Sequence, residues 1–321
     1  MAIMYFQITP ISRGRGRSAV AAAAYRAGER IRDERTGKLH NYARRDDIPH
    51  KEILLPAGLD SERISWVKNR AQLWNAAERA ERQRNSRIAR EFQLGLPHEL
   101  SPEQRLNLAR TFSQELCDRY RVVVDLAMHL PRPGSDPRNF HAHLMLTSRE
   151  ITANGFGGKA GLDLQPGQMR ARGLREGIAE IKLMRERWAS LANEALRDAN
   201  IDERVDHRTL AAQGIDRMPR ARVPWSTVIR ERRGLRSDIG ERVRANHQAR
   251  VQAKRQRQGE RDPSAAKDPA KEATKDPSSI KDVQRQAREA WMQMRRGASV
   301  DHDRSDDHSP RSPAPDDDFS L

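Results

Sequence analysis

From Ile3 to Thr9 apolar and polar residues alternate: Met4, Phe6 and Ile8 take one side, Tyr5, Gln7 and Thr9 the other. A period of two predicts a half-buried strand. The period then lengthens. Val20, Ala24, Ala27 and Ile31 recur at helical spacing behind Ser18, a residue whose hydroxyl can accept first-turn amides, so a helix is predicted over 19–32. Short strands follow at 38–42 and 52–55. A helix over 64–82 carries Trp66, Leu73, Trp74 and Ala77 as its apolar stripe. A strand over 87–96 ends at Pro97. Ser101 caps a helix over 102–119, with Leu106, Leu108, Ala109, Phe112 and Leu116 recurring. Strands over 121–130 and 139–148 are joined by the loop PRPGSDPRN. Beyond a Gly-rich stretch at 154–161, a long helix is predicted over 173–198, then a short helix and turn at 206–214.

The strand faces agree with one another. Phe92, Leu94 and Leu96 share a side, with Glu91 and Gln93 opposite. Val122, Val124, Leu126 and Met128 oppose Asp125 and His129; Ala142, Leu144 and Leu146 oppose His141 and His143. One apolar and one polar side per strand is the pattern of an antiparallel sheet covered by helices on one face. The expectation is an α+β fold: an antiparallel sheet, helices packed on one face, and an uncovered functional face carrying Glu91, Asp125, His129, His141 and His143.

Charge separates the chain into parts. The 321 residues carry a formal charge of +15, with 36% hydrophobic and 33% charged residues. Residues 246–321 hold 15 Lys/Arg against 14 Asp/Glu, so nearly all of the excess lies in 1–245. The tail, with Lys-Asp-Pro twice and seven Asp from Asp301 onward, is expected to be disordered. A short helix at 279–296 is the exception, with Ile280, Val283, Ala287 and Trp291 at helical spacing. A basic 1–245 domain implies a polyanionic partner. No run reaches the ~18 apolar residues of a membrane span, and MAIMYFQITP is no signal peptide, so a cytoplasmic protein is expected. A single cysteine, Cys117, excludes a disulfide framework and a multi-cysteine zinc knuckle.

Candidate chemistry lies on the polar strand face. His141 and His143 point the same way because the strand period is two, and His129 ends the preceding strand on that face. Three imidazoles can bind a divalent ion and leave positions open for a substrate oxygen. Asp125 and Glu91 can orient them. His40, His50, His98, His247, His302 and His308 have no such company, and His207 receives no role. Tyr25 faces away from the first helix's apolar stripe, among alanines. Packing at the helix rim is its plain reading; beside a three-histidine site it is a candidate nucleophile for phosphoryl transfer. Tyr5, Tyr42 and Tyr120 are read as structural.

Four blocks in order resemble the MobA/MobL family of plasmid-mobilising relaxases, His-hydrophobic-His endonucleases. MAIMYFQITPISRGRGRSAVAAAAYRAGER resembles the first motif, IAREFQLGLPHEL the segment carrying an acidic residue, and AMHLPRPGSDPRNFHAHLMLTSR the metal motif. VDHRTLAAQGIDRMP resembles a further block of unassigned role. Phe140 departs from the proline some members carry, a change expected to alter the loop and not the ligands. The resemblance covers about residues 1–220. It implies Tyr25 as nucleophile, His129, His141 and His143 as ligands of a divalent metal (Mg or Mn), and Glu91 as a base or as a partner that orients one of those ligands. Arg13, Arg15 and Arg17 are then expected to hold the DNA backbone on either side of the scissile phosphate.

The activity so implied is site- and strand-specific nicking of plasmid DNA at the origin of transfer through a 5′-phosphotyrosyl bond, then rejoining. The implied partners are plasmid DNA, single-stranded at the nick, accessory mobilisation proteins and a type IV secretion coupling protein. A rolling-circle replication initiator and a non-catalytic basic nucleic-acid-binding module are the alternatives. A zinc hydrolase is a poorer fit, since no His-Glu-x-x-His occurs. Larger relatives continue into helicase or primase domains; here a polar tail without a P-loop follows.

Overall fold

The computed structural model describes residues 4–59, 62–216, 218, 221, 223 and 225–259. The chain forms two compact units that divide after residue 219. In the first, a five-stranded sheet has the order β1-β5-β7-β6-β4. Its strands are β1 (Phe6–Ser12), β4 (His50–Leu54), β5 (Arg87–Gly95), β6 (Val124–His129) and β7 (His141–Thr147). Every neighbouring pair is antiparallel. Two hairpins flank the sheet, β2 (Arg30–Arg32) with β3 (Leu39–Asn41), and β8 (Arg149–Thr152) with β9 (Gly155–Lys159). The helices of this unit are α1 (Ala19–Ala27), α2 (Arg70–Ala80), α3 (Pro102–Tyr120), α4 (Pro166–Ala171) and α5 (Ile178–Asp198).

Strand alternation sorts the core into two layers. Phe92, Leu94, Leu126, Leu144 and Leu146 meet Phe112 and Leu116 of α3 and Trp188 of α5 in one buried cluster. Each side chain of this kind contributes about 1.5–3 kcal/mol on burial. Helix α3 begins in a reciprocal capping box between Ser101 and Gln104 with Pro102 in its first turn. The opposite sheet face carries Ala89 and Met145, covered by Val20, Ala23 and Ala24 of α1 and Leu73 and Trp74 of α2. That face therefore holds the polar groups as expected, but it is not bare: two helices roof most of it.

Several bounds differ from the sequence expectation. The first helix stops at Ala27, not 32, because Gly28 adopts φ +60° and ends it with a left-handed cap. A Cβ there would also stand 2.8 Å from Ile48 Cδ1, a side-chain end that would have to move, so the left-handed φ is the main reason for glycine. Ile31, read as part of the helix stripe, is buried in β2 instead. The helix expected over 64–82 is a 3₁₀ turn (Ser65–Lys68) followed by α2, which Asn69 caps. The long helix begins at Ile178, after left-handed glycines at 173 and 177. The Gly-rich stretch forms the β8–β9 hairpin, and 206–214 holds turns without a helix.

The second unit contains α6 (Trp225–Arg232) and α7 (Asp238–Gly259), tied together by the Arg244–Glu231 ion pair. The domain expected over 1–245 is thus two units, and α7 runs through position 245 without a break. The expected short helix at 279–296 and the rest of the tail from 260 lie outside the described residues. Among the described residues no helix is long and apolar enough to cross a membrane.

Candidate active site

Register brings the three histidines together. His141 is paired directly with His129 across β6–β7, and His143 lies two residues further along β7 on the same face. Ring centroids are 5.2 Å apart for His129–His141, 4.6 Å for His129–His143 and 5.2 Å for His141–His143. One nitrogen from each lies within 4.8 Å of the others, and all three rings are buried.

Hydrogen bonds assign the lone pairs. His141 Nδ1 lies 3.0 Å from the Asn139 carbonyl oxygen, which can only accept, so Nδ1 carries the proton and Nε2 the lone pair. His143 Nδ1 donates to Glu91 Oε1 at 2.7 Å, with the same consequence. His129 is turned the other way: Nε2 donates to the Arg26 carbonyl at 2.8 Å, and Nδ1 sits 3.4 Å from Arg45 Nη2. Each imidazole thus has one nitrogen on an oxygen acceptor, the arrangement that fixes a tautomer for metal ligation. The donor set fits a divalent ion.

Glu91 is fixed by two partners. It reaches His143 diagonally, since its neighbour Gln93 is the residue directly opposite His143. Arg26 grips it through Nε and through Nη2, the latter at 2.7 Å from Oε2. Burial opposes its ionisation, but the Arg26 guanidinium and the His143 hydrogen bond outweigh that and hold the carboxyl at about 2. A carboxylate so acidic is a poor general base at neutral pH and a good orienter of His143. Asp125 does not join this group. It accepts from Arg70 Nε and Nη2 and from Trp74 Nε1, each at 2.8 Å, and belongs to the α2 packing.

Tyr25 lies in the last turn of α1 and is 9% exposed, more enclosed than its outward-facing position implied. Its ring meets Tyr42 edge-on at 5.1 Å, and the Arg45 guanidinium carbon stands 4.4 Å from its centroid. Arg132, from the loop before β7, donates to the Tyr25 hydroxyl. Arg45 touches both the Tyr25 ring and His129, and is itself held by Asp47, whose carboxyl lies below its usual range because this pairing outweighs burial. Tyr25 and the histidines are therefore joined by two arginines, Arg26 and Arg45.

The MobA/MobL family model matches residues 17–233. The chain belongs to the MobA/MobL family. Mobilization protein MobL of Acidithiobacillus ferridurans is 35% identical over 77% of this chain and 67% of its own length. Conjugal transfer protein TraA of Rhizobium radiobacter is 31% identical over 78% of this chain, but this MobA/MobL chain spans only 24% of TraA. A solved structure from work on the molecular basis of vancomycin resistance transfer in Staphylococcus aureus matches with a TM-score of 0.55. It is 29% identical and covers 65% of this chain and 100% of that one.

Not every expected site residue of this family member comes to the histidines. Arg13, Arg15 and Arg17 lie beyond Ser12, which pairs with Arg87 at the opposite end of the sheet from Gly95 and His141. Six residues of β7 separate the two ends, about 20 Å at ~3.3 Å per residue. Tyr25 is about 12 Å along α1 from Arg17. Arg13 is also occupied, its Nε 2.9 Å from Glu78 and its Nη1 on the Glu81 carbonyl. The three arginines do not flank the Tyr25 hydroxyl. Arg26, Arg45 and Arg132 stand beside Tyr25 and the histidines instead, and sequence reasoning missed them. Arg26 carried one legible signal: a charge beside Tyr25 on an otherwise alanine helix.

Of the residues expected to have no catalytic role, His302 and His308 lie outside the described residues. Tyr120 donates to Glu180 at 2.8 Å, and burial with that carboxylate pushes its phenol up. Tyr5 bonds Gln7, and Tyr42 packs on Tyr25. His50 and His98 pair with Glu52 and Glu99. Phe140 lies under the Arg105 guanidinium at 3.8 Å, and β7 still begins at His141.

Proposed function

We propose that this chain is a conjugative relaxase that nicks and rejoins plasmid DNA at the origin of transfer through Tyr25. The observation that carries the reading is the junction of a buried three-histidine cluster with a tyrosine whose hydroxyl receives a guanidinium. A metal-binding structural site would not need that tyrosine, and a plain basic module would need neither.

In this reading Tyr25 Oη forms a bond to phosphorus as the bond to the 3′-oxygen breaks. The phenol proton passes to solvent and the departing 3′-oxygen takes a proton from solvent to become the 3′-hydroxyl, so one phosphodiester is exchanged for another and the step is reversible. Arg132 at Oη favours the phenolate and lowers the cost of that proton loss. Arg45, over the ring, adds positive charge where negative charge develops. A divalent ion, Mg or Mn, held by His129, His141 and His143 would supply Lewis-acid polarisation of a non-bridging phosphate oxygen. Glu91 fixes the His143 tautomer, and Arg26 offsets its charge while its carbonyl fixes His129. The rings are thereby ordered before substrate arrives, which removes a reorganisation cost from the reaction.

The reading places the protein in the cytoplasm on plasmid DNA, with accessory mobilisation proteins and a type IV secretion coupling protein as further partners. It is tested by incubating the protein and Mg or Mn with single strands covering the origin of transfer of its plasmid, then mapping any blocked 5′ end and the peptide attached to it. A 5′ adduct on Tyr25 is expected. An adduct on Tyr5, Tyr42 or Tyr120, or cleavage with two free ends, overturns the assignment.

A further inference from the structure

A helix ends with carbonyls that no further turn can satisfy. In α1 the Ala24 carbonyl still takes the amides of Gly28 and Glu29. Those of Tyr25, Arg26 and Ala27 would take the amides of residues 29–31 if the helix continued, but the chain turns away at Gly28. Side chains complete the cap. Arg45 Nη1 donates to the Tyr25 carbonyl at 2.9 Å, His129 Nε2 to that of Arg26 at 2.8 Å, and Lys51 Nζ to that of Ala27 at 2.9 Å.

The three donors come from separate parts of the chain. Arg45 lies between β3 and β4, Lys51 on β4, and His129 at the end of β6. Lys51 is paired with Ala127, and Ala127 with His143, so the three form one row on the histidine face. Ala127 presents only a methyl group in that row, and α1 packs against β6. Lys51 also lies 2.9 Å from Glu29 Oε1, but Glu29 has Arg70 as a second cation. Neutralising Glu29 is therefore not the particular work of Lys51. A cation on the C-terminal carbonyls of a helix is favoured by the helix dipole.

One such donor would be an ordinary cap. Here three consecutive carbonyls are held, starting at Tyr25 itself, and one holder is an imidazole of the three-histidine cluster. The hydrogen bond that turns His129 Nδ1 toward the cluster is thus made to the turn that carries Tyr25.

We propose that Lys51 is a positioning residue for Tyr25. With Arg45 it closes a three-donor clamp on the end of α1, and the clamp couples ligation at His129 to the placement of the tyrosine. The inference rests on the relaxase reading for the roles of Tyr25 and the metal. Lys51 touches neither, and acts through the Ala27 carbonyl.

The test compares the full wild-type chain with Lys51→Met, Lys51→Arg and Glu29→Gln. Mn affinity is measured by calorimetry, and hydrogen exchange of the peptide spanning 19–29 is followed with and without Mn. The rate of adduct formation at saturating origin strand is measured beside strand affinity by anisotropy. Partners that orient a metal-binding histidine change affinity or activity by about 10–100-fold, and the low end applies to a group one residue removed from the His129 acceptor. Lys51→Met should weaken Mn binding about tenfold and slow the adduct about tenfold, with strand affinity within about twofold. Mn should slow exchange at the end of α1 in the wild type and do so less in this variant. Lys51→Arg, which keeps a donor, should restore all three readouts, and Glu29→Gln should leave them as in the wild type. Unchanged Mn affinity and exchange in Lys51→Met overturns the proposal. So does a Glu29→Gln variant that matches it, which would reduce Lys51 to an ion-pair partner. A lowered thermal midpoint with wild-type Mn affinity also overturns it, as a purely structural role. If the wild type forms no adduct while the Mn and exchange effects hold, the relaxase reading fails and the clamp stands.

Discussion

Replacing Asp125 by asparagine separates two accounts of a carboxylate that the strand pattern put on the histidine face. The structure gives it to α2: Arg70 Nε and Nη2 and Trp74 Nε1 all converge on it, with Asp125 4% and Arg70 8% exposed. Removing one member of a buried pair leaves the other charge uncompensated, at a cost of about 3–5 kcal/mol. Arg70 keeps Glu29 as a second partner, so the lower end, about 3 kcal/mol, applies here. With a urea slope of roughly 2–3 kcal/mol per molar for a domain of this size, the unfolding midpoint should fall by about 1 M. Divalent-metal affinity, read by calorimetry, should not change, because Asp125 contacts no histidine in this site. A second variant, Asp125→Asn with Arg70→Met, removes both charges and should regain part of the loss. An unchanged midpoint accompanied by weaker metal binding would refute this reasoning and return Asp125 to the histidine site.

Tyr25→Phe should abolish the covalent DNA adduct on a denaturing gel while oligonucleotide affinity stays within about twofold, since one hydroxyl is lost and the ring is kept. Arg132→Gln should slow nicking by about 10²-fold and move the rising limb of the pH–rate profile to higher pH, because the phenolate loses its guanidinium partner. Acid should destabilise the protein through Glu91. Its folded carboxyl, held at about 2, lies below its unfolded value near 4.5, so its contribution is present above pH ~4.5 and is lost as pH falls toward 2. Glu91→Gln should flatten that part of a urea-midpoint-against-pH curve. Burial pushes the Cys117 thiol up to about 12, so iodoacetamide at pH 8 should label the unfolded chain and spare the native one, as mass spectrometry can show.

The sheet was legible because its strands are amphipathic and antiparallel. Once His129, His141 and His143 fell on one parity, pairing β6 with β7 was enough to assemble them. Helix starts were legible where a serine caps them, at Ser18 and Ser101, whereas the Asn69 cap of α2 went unread and that helix was expected to begin at 64. Helix ends were harder. Gly28 stops α1 through its left-handed φ and its approach to Ile48, and an apolar stripe that continues to Ile31 conceals that stop. The partners of Glu91 and Asp125 were out of reach for a different reason. Arg26 and Arg70 are 65 and 55 residues away from them in sequence, and nothing local marks which arginine a buried carboxylate will take.

That last point governs how the basic composition should be read. A formal charge of +15 argues for a polyanion, yet a count of arginines says nothing of where the polyanion sits. In the first unit Arg13, Arg26, Arg70 and Arg119 lie on the largely buried carboxylates Glu78, Glu91, Asp125 and Glu180. Those charges are used in folding and ordering, and DNA would compete for them against a partner already desolvated. Arginines such as Arg15, Arg17, Arg82 and Arg84 have no such competitor, and their hydrated guanidiniums can exchange water and small ions for phosphate at little structural cost. Within one motif, SRGRGR, both kinds occur: Arg13 turns inward to Glu78 while Arg15 and Arg17 stay in solvent. Proximity in sequence to the Tyr25 helix therefore does not place these residues at the reacting phosphate, and the ion-pair map, more than the motif, separates scaffold from DNA contact.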